Sequence, residues 1–300
     1  MPKRLRSPIR WFGGKGQLTS KLMKYAPEHT YYCEVFGGGA SLLFAKPPAR
    51  FEVYNDIDSG LVTFFRVLRD PKKFKRFYKK VCLTTYSREE YYYYKDTWEL
   101  VEDEIEKAYR WFILARMSFS GRFDKGWSHA VKQIRRNMSG AVSKYLSIIE
   151  QLPTIHQRIM TVQIEHLDWK TCVEKYNDWK WDGWYYLDPP YYPDARHAGK
   201  YKHEFTKEQH EDLIEWLLTQ AKVKVMLSGY DNPVYQRLEQ AGWKKICWDV
   251  DCNAAGRTRD TKILGEGASY RMNQRRLECI WINYNYVENL LPCQNKKIRR

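Results

Sequence analysis

The run Trp184-Tyr185-Tyr186-Leu187-Asp188-Pro189-Pro190-Tyr191 limits what this chain can fold into more than any other stretch. Its four leading apolar residues suit a buried strand. Two consecutive prolines cannot extend a ladder, because each lacks an N–H and fixes its own φ. The strand therefore stops at Asp188, and the chain turns out of the sheet with a carboxylate, a rigid carbonyl and an aromatic ring side by side. A proline turn with a capping aspartate would satisfy the same residues, so the remainder of the chain has to decide between the two.

Two glycine-rich stretches precede it. Arg10-Trp11-Phe12-Gly13-Gly14-Lys15-Gly16 opens a helical pattern from about residue 17 to 25 and lets backbone approach a ligand, with Lys15 available for an anion. No Lys-Ser/Thr pair closes it, so it is not a phosphate-binding P-loop. Next, Tyr31-Tyr32-Cys33-Glu34-Val35 reads as a strand, Phe36-Gly37-Gly38-Gly39-Ala40-Ser41 as a turn of mostly small residues, and Leu42-Leu43-Phe44 as a helix start. That is the first unit of a nucleotide-type α/β sheet. A second strand, Phe51-Glu52-Val53-Tyr54-Asn55, ends in Asp56-Ile57-Asp58. An acid about 20 residues after such a glycine turn is placed for ribose hydroxyls, a role that falls to Asp56, while Asp58 or Ser59 caps the next helix.

From Pro71 to about Leu152 the strand-helix alternation disappears. The segment is helical and basic, with a tyrosine run at 91–94, a helix from about Glu102 to Met117, a polar loop at 118–128, and then a basic stretch read as a helix. It is expected to be an inserted subdomain whose loop and basic helix face DNA through Arg116, Arg122, Lys125, Lys132, Arg135, Arg136 and Asn137. The alternation resumes with a strand at 160–164 that ends near Asp168, another acid at a strand end, and then reaches Trp184. A helix at about 207–221, a strand at 223–228, a helix starting near Asn232 with Pro233 in its first turn, and a terminal hairpin of strands 246–250 and 278–282 complete the chain.

Charge favours a polyanionic partner, although scattered lysines that only keep a protein soluble would give the same excess. The chain carries 51 Lys and Arg against 36 Asp and Glu, a net +15, and 16% aromatic residues. Basic side chains interleaved with rings suit a polyanion with unstacked bases, although part of the excess sits at the termini. With 43% apolar residues a real core is possible, while no apolar run approaches the roughly 18 residues of a membrane span. No signal-type apolar stretch opens the chain, so a soluble cytoplasmic protein is expected, in a host cytoplasm if phage-encoded. The seven cysteines include no C-x-x-C pair and are expected to be reduced, with no metal site.

Taken together, Trp11-Phe12-Gly13-Gly14-Lys15, Glu34 to Ser41, Asn55-Asp56-Ile57-Asp58, Asp188-Pro189-Pro190-Tyr191, Phe205-Thr206 with His210, and Glu278-Cys279-Ile280-Trp281-Ile282-Asn283-Tyr284 resemble the Dam-like (D12 class) DNA adenine-N6 methyltransferases nearly end to end. The resemblance implies a Rossmann-like class I S-adenosyl-L-methionine-dependent fold with a mixed sheet and terminal β-hairpin. It implies a catalytic domain from residues 1–70 and 153–300 and a helical target-recognition subdomain at 71–152. It further implies that Trp11, Lys15, Glu34, Phe36, Gly38 and Asp56, with Asp168 and Asp188, hold the cofactor, and that Asp188, Pro189, Pro190 and Tyr191 face the target base in double-stranded DNA. Val35 and Ala40 depart from the family's usual proline and glycine and are expected to tune affinity.

The chemistry asks for such residues. The adenine amino nitrogen is a poor nucleophile within a stacked duplex, so the base must be flipped out and clamped. Tyr191 can stack on it, Asp188 and the Pro189 carbonyl can accept its two N–H bonds, and Pro190 fixes the bend. No metal or covalent enzyme intermediate is needed. Pro292-Cys293-Gln294 copies the tripeptide of cytosine-C5 enzymes but lies in the basic tail, far from the cofactor turn, and is read as chance. Transfer to cytosine N4 or another amino group, or a catalytically silent DNA-binding module, are the alternatives. A broken glycine turn or tetrapeptide would mark the silent module, and both are intact. The recognition sequence is left open, as is the choice between a monomer and a weak dimer.

Overall fold

The computed structural model describes residues 5–123, 126–130, 132–178, 182–193, 202–251 and 275–286. Nine strands occur among them: β1 (Tyr31–Glu34), β2 (Phe51–Asn55), β3 (Ile134–Arg135), β4 (Met138–Ser139), β5 (Gln163–Glu165), β6 (Gly183–Leu187), β7 (Lys224–Tyr230), β8 (Lys244–Asp251) and β9 (Arg275–Ile282). Seven of them form one sheet in the order β5-β2-β1-β6-β7-β9-β8. The first five run parallel, whereas β9 lies antiparallel between β7 and β8. The expected Rossmann-like mixed sheet with a terminal hairpin is present.

The central strands are apolar on both faces because helices cover both, as a parallel sheet requires. Helices α1 (Thr19–Leu22), α2 (Ser41–Ala45), α3 (Ser59–Arg69), α4 (Pro71–Cys82), α5 (Arg88–Thr97), α6 (Glu104–Met117), α7 (Gly140–Ile149) and α8 (Leu152–Ile159) precede β5. They are followed by α9 (Trp169–Tyr176), α10 (Lys207–Thr219) and α11 (Pro233–Gln240). Alternate strand residues enter different cores. Tyr32, Tyr54, Trp184, Tyr186, Met226 and Ile280 pack with α2, α3, α6 and α8, while Cys33, Val53, Tyr185, Leu187, Leu227 and Trp281 pack with α9, α10 and α11. The expected caps are in place: Asp58 accepts the Leu61 N–H ahead of α3, and Asn232 accepts the Tyr235 N–H ahead of α11 with Pro233 in its first turn.

The stretch from Pro71 to Leu152 is largely helical, but it shares its apolar core with the sheet-covering helices. Phe112 of α6 stacks on Phe64 of α3 with ring centroids 5.5 Å apart. Trp111 lies 5.5 Å from Phe64 and 5.8 Å from Trp11 of the first glycine loop.

Two expectations need correction. The basic stretch after the polar loop is not a helix at its start: β3 and β4 form a tight hairpin, turned by Arg136 and Asn137 at φ 53° and 58°. Two successive left-handed residues are what a two-residue hairpin turn demands. The cysteines are not all reduced either, since Cys247 and Cys279 face each other across β8 and β9 and form a disulfide. Cys33, Cys82 and Cys172 are free thiols, and Cys252 and Cys293 lie outside the described residues.

Candidate active site

The carboxyl ends of β1, β2 and β6 meet at one cavity of about 500 Å³, which all eight residues expected to hold the cofactor line. Its floor is the glycine turn after β1. A Cβ added at Gly37 would fall 2.2 Å from Tyr54 Cε2, and one at Gly38, whose φ is +47°, would fall 2.9 Å from Trp11 Cδ1. The turn is held in shape from β2. Tyr54 donates its hydroxyl to the Gly38 carbonyl at 2.8 Å, and the Asp56 carboxylate accepts the N–H groups of Gly38 at 2.7 Å and Asp58 at 2.8 Å. Asp56 thus braces the loop in addition to facing the cavity.

Burial sets the charge states here. It pushes the Asp56 carboxyl up to about 6 against the pull of its two N–H donors. Glu34, buried at the end of β1 and accepting the Leu43 N–H at 3.1 Å, is pushed up to about 8 by the same desolvation.

Asp188 stands at the end of β6, and Lys15 reaches it from the first glycine loop. The ammonium lies 2.7 Å and 2.9 Å from the two carboxylate oxygens and also donates to the Gly13 carbonyl at 3.1 Å. Burial raises the Asp188 carboxyl to about 6, with Lys15 pulling it down. Lys15, expected among the cofactor contacts, is therefore engaged with the acid of the tetrapeptide.

Tyr191 is buried, its hydroxyl donating to Glu278 Oε2 at 2.6 Å. The Lys15 ammonium lies 4.6 Å over its ring, and Tyr230 packs edge-on at 4.3 Å. Pro189 is buried and, with Pro190, lines the same cavity as Asp188.

The remaining expected residues divide. Asp168 lines the cavity, yet its carboxylate caps α9, accepting from Lys170 N–H at 3.0 Å and Thr171 N–H at 3.1 Å. Arg116 is a correction: it belongs to the buried circumference of α6 and donates to the Lys144 carbonyl at 3.1 Å, so it is not on the outer surface. Arg122 lies partly buried with its guanidinium 5.0 Å over the Phe12 ring. Lys132, Arg135, Arg136 and Asn137 are exposed together on the β3–β4 hairpin, with Arg136 paired to Glu150 at 2.7 Å. Lys125 lies outside the described residues.

Sequence reasoning missed three participants. Glu278 was read as part of the terminal strand with no partner assigned, Tyr230 lay beyond the end of the predicted strand, and the contact of Lys202 with Asp58 at 3.2 Å, beside the cavity, has no local signal at all. Among the described residues no cluster of His, Cys, Asp or Glu could hold a metal, and no helix is long and apolar enough to cross a membrane.

Two comparisons bear on this geometry. The profile of the family described as D12 class N6 adenine-specific DNA methyltransferase matches residues 11–250. The Type II methyltransferase M1.LlaDCHI of Lactococcus lactis subsp. cremoris is 30% identical over 253 residues, 78% of this chain and 84% of the relative.

Proposed function

The chain belongs to the D12 class of N6 adenine-specific DNA methyltransferases, and we propose that Asp188, Pro189, Pro190 and Tyr191 hold the flipped adenine beside S-adenosyl-L-methionine bound in the cavity at the ends of β1, β2 and β6. The observation that carries this reading is the placement of Asp188. It ends the central strand β6 and lines the same cavity as the glycine turn and Asp56.

The cavity fits the cofactor. Its volume of about 500 Å³ is in the range of small-molecule sites, and the glycine turn supplies a floor that side chains would fill. Asp56 and Glu34 present carboxyl groups for hydroxyl or amino hydrogens, Trp11 and Phe36 supply apolar walls, and Asp168 borders the same space. When bound, S-adenosyl-L-methionine supplies an electrophilic methyl group on a sulfonium.

The protein's own task is orientation. The Asp188 carboxylate and the Pro189 carbonyl accept the two N6 hydrogens, which turns the nitrogen lone pair toward the methyl carbon. As positive charge develops on N6, the carboxylate stabilises it, and an Asp188 oxygen takes the proton that N6 sheds. Lys15 keeps Asp188 ionised in the resting protein and must yield its place when the amino group arrives. Tyr191 stacks on the base once the Lys15 ammonium leaves its face.

DNA is the substrate, and the double-stranded form is proposed to lie against residues 71–152, the target-recognition subdomain. The exposed residues Lys132, Arg135, Arg136 and Asn137 at the β3–β4 hairpin offer the first contacts, and Arg122, over the Phe12 ring, a further one. Arg116 acts from beneath, tying α6 to the middle of α7 through the Lys144 carbonyl. A cytoplasmic location goes with such a substrate, and the relative's name, a Type II methyltransferase, favours a role in modification at a defined site.

The test is tritiated methyl transfer to double-stranded DNA followed by nucleoside analysis. N6-methyladenine is the expected label. N4-methylcytosine, or DNA binding without transfer, would overturn the assignment of the site.

A further inference from the structure

Tyr191 begins the chain's exit from the sheet behind two prolines, yet its ring has a fixed address. Its hydroxyl donates to Glu278 Oε2 at 2.6 Å, from a residue 87 positions later. The register of β9 places Glu278 opposite Tyr230 of β7 and opposite Trp248 of β8, so the three side chains leave the same face of the sheet. Tyr230 is the residue whose ring meets Tyr191 at 4.3 Å and 61°. The strand beneath is rigid: Cys279, Ile280, Trp281 and Ile282 are all buried. A cross-strand pair on a stiff strand therefore grips a ring that belongs to a loop.

We propose that Glu278 is a positioning residue for methyl transfer, accepting the Tyr191 hydroxyl and so fixing the plane of the ring on which the target adenine stacks. This rests on the methyltransferase reading and deepens it. A tyrosine anchored only through its backbone can change χ1 and swing its face away. Anchored at the hydroxyl as well, it can only turn about its own long axis. A hydrogen bond from a hydroxyl to a carboxylate is about twice as strong as a neutral one, and it keeps the ring aligned after Lys15 has moved off it. Glu278 itself touches neither base nor methyl donor, and its effect is confined to the step in which adenine is held for attack.

The experiment compares wild type, Glu278→Gln, Glu278→Ala, Tyr191→Phe and the double variant Glu278→Ala/Tyr191→Phe as full-length proteins. Each is assayed for kcat and for the KM of the cofactor, with a melting temperature as the check on folding. Loss of a charge-assisted bond predicts a fall in kcat of about tenfold for Glu278→Ala and a similar fall for Tyr191→Phe, with cofactor KM unchanged. Glu278→Gln, whose amide oxygen still accepts, should recover most of kcat. The double variant should be no worse than either single one, because both remove the same bond.

Full kcat in Glu278→Ala, multiplicative losses in the double variant, or a Gln variant as weak as Ala would each overturn the proposal. If Glu278→Ala does not fold, the Gln variant and Tyr191→Phe still decide it: a nearly wild-type kcat in the first with a tenfold loss in the second supports the tether, and any other pattern overturns it. A wild-type protein that labels no adenine would overturn the functional reading itself, which separates that failure from this one.

Discussion

Lys15 Nζ lies 2.7 Å from Asp188 Oδ1 and 2.9 Å from Oδ2, joining two glycine- and proline-defined edges that are 173 residues apart in sequence. Both groups are largely buried, with side-chain exposures of 6% and 15%. A buried carboxylate beside a buried ammonium is tolerable only as a pair, since either alone would bear an unrequited desolvation cost. The resting site thus holds a cation where the amino group of the base is proposed to bind.

Asp188→Asn should reduce methyl transfer by about 10²–10³-fold, the usual effect of removing one transition-state contact. Cofactor binding, followed by calorimetry in the absence of DNA, should be largely preserved. Wild-type turnover in this variant would remove Asp188 from the reaction.

Transfer should depend on pH through the same group. Burial places the Asp188 carboxyl near 6, so the active carboxylate is lost as pH falls through that value and kcat/KM declines on the acid side. Lys15 lowers this carboxyl's affinity for protons, hence Lys15→Met should move the acid limb upward. A limb that stays in place in a variant that still turns over would show that another group titrates.

Asp56→Ala should act on the cofactor before it acts on chemistry. It removes the acceptor of the Gly38 and Asp58 N–H groups. Charge-assisted bonds of this kind contribute about 1.5–3 kcal/mol each, so cofactor Kd should rise by about tenfold or more. Equilibrium binding of labelled cofactor measures it directly.

Gly38→Ala tests the floor of the cavity. The added Cβ meets a backbone at φ +47° and Trp11 Cδ1 at 2.9 Å. The left-handed conformation alone costs about 1–2 kcal/mol. The variant should melt a few degrees lower, and its cofactor affinity should fall with it.

Contact with DNA has its own signature. Lys132→Ala and Arg135→Ala remove exposed cations from the hairpin, and each should shallow the slope of log affinity against log salt by about 0.9 if it meets a phosphate in the duplex. An unchanged slope would assign that residue to the solvent face.

Much of the fold was legible because its signals are local. The proline stop after Leu187, the glycine turn after Val35 and the Asn-Pro start of α11 each declare themselves within a few residues, and alternation of strand and helix does the rest. What escaped depends on distance or on a backbone state that composition does not announce. The Arg136-Asn137 turn has no glycine to advertise its positive φ values. Arg116 looks like an exposed helix end, but the residues around it on α6 are buried on every side. The Lys15–Asp188 pair, the Tyr191–Glu278 bond and the Cys247–Cys279 link arise only when the sheet order brings the strands together. The location of the cavity was therefore readable, whereas its wiring was not.

The stacking of Phe112 on Phe64, and of Trp111 against both Phe64 and Trp11, bears on how target preference can be altered. A chimera that exchanged residues 71–152 alone between two such enzymes would insert foreign rings beneath Phe64 and Trp11, and the mismatch would reach the glycine floor through Trp11. The transplantable unit therefore includes α3 and the tryptophan of the first loop. With the DNA contacts proposed for the hairpin, point changes at its tip would leave this packing intact, whereas swapping the insert as a cassette would not.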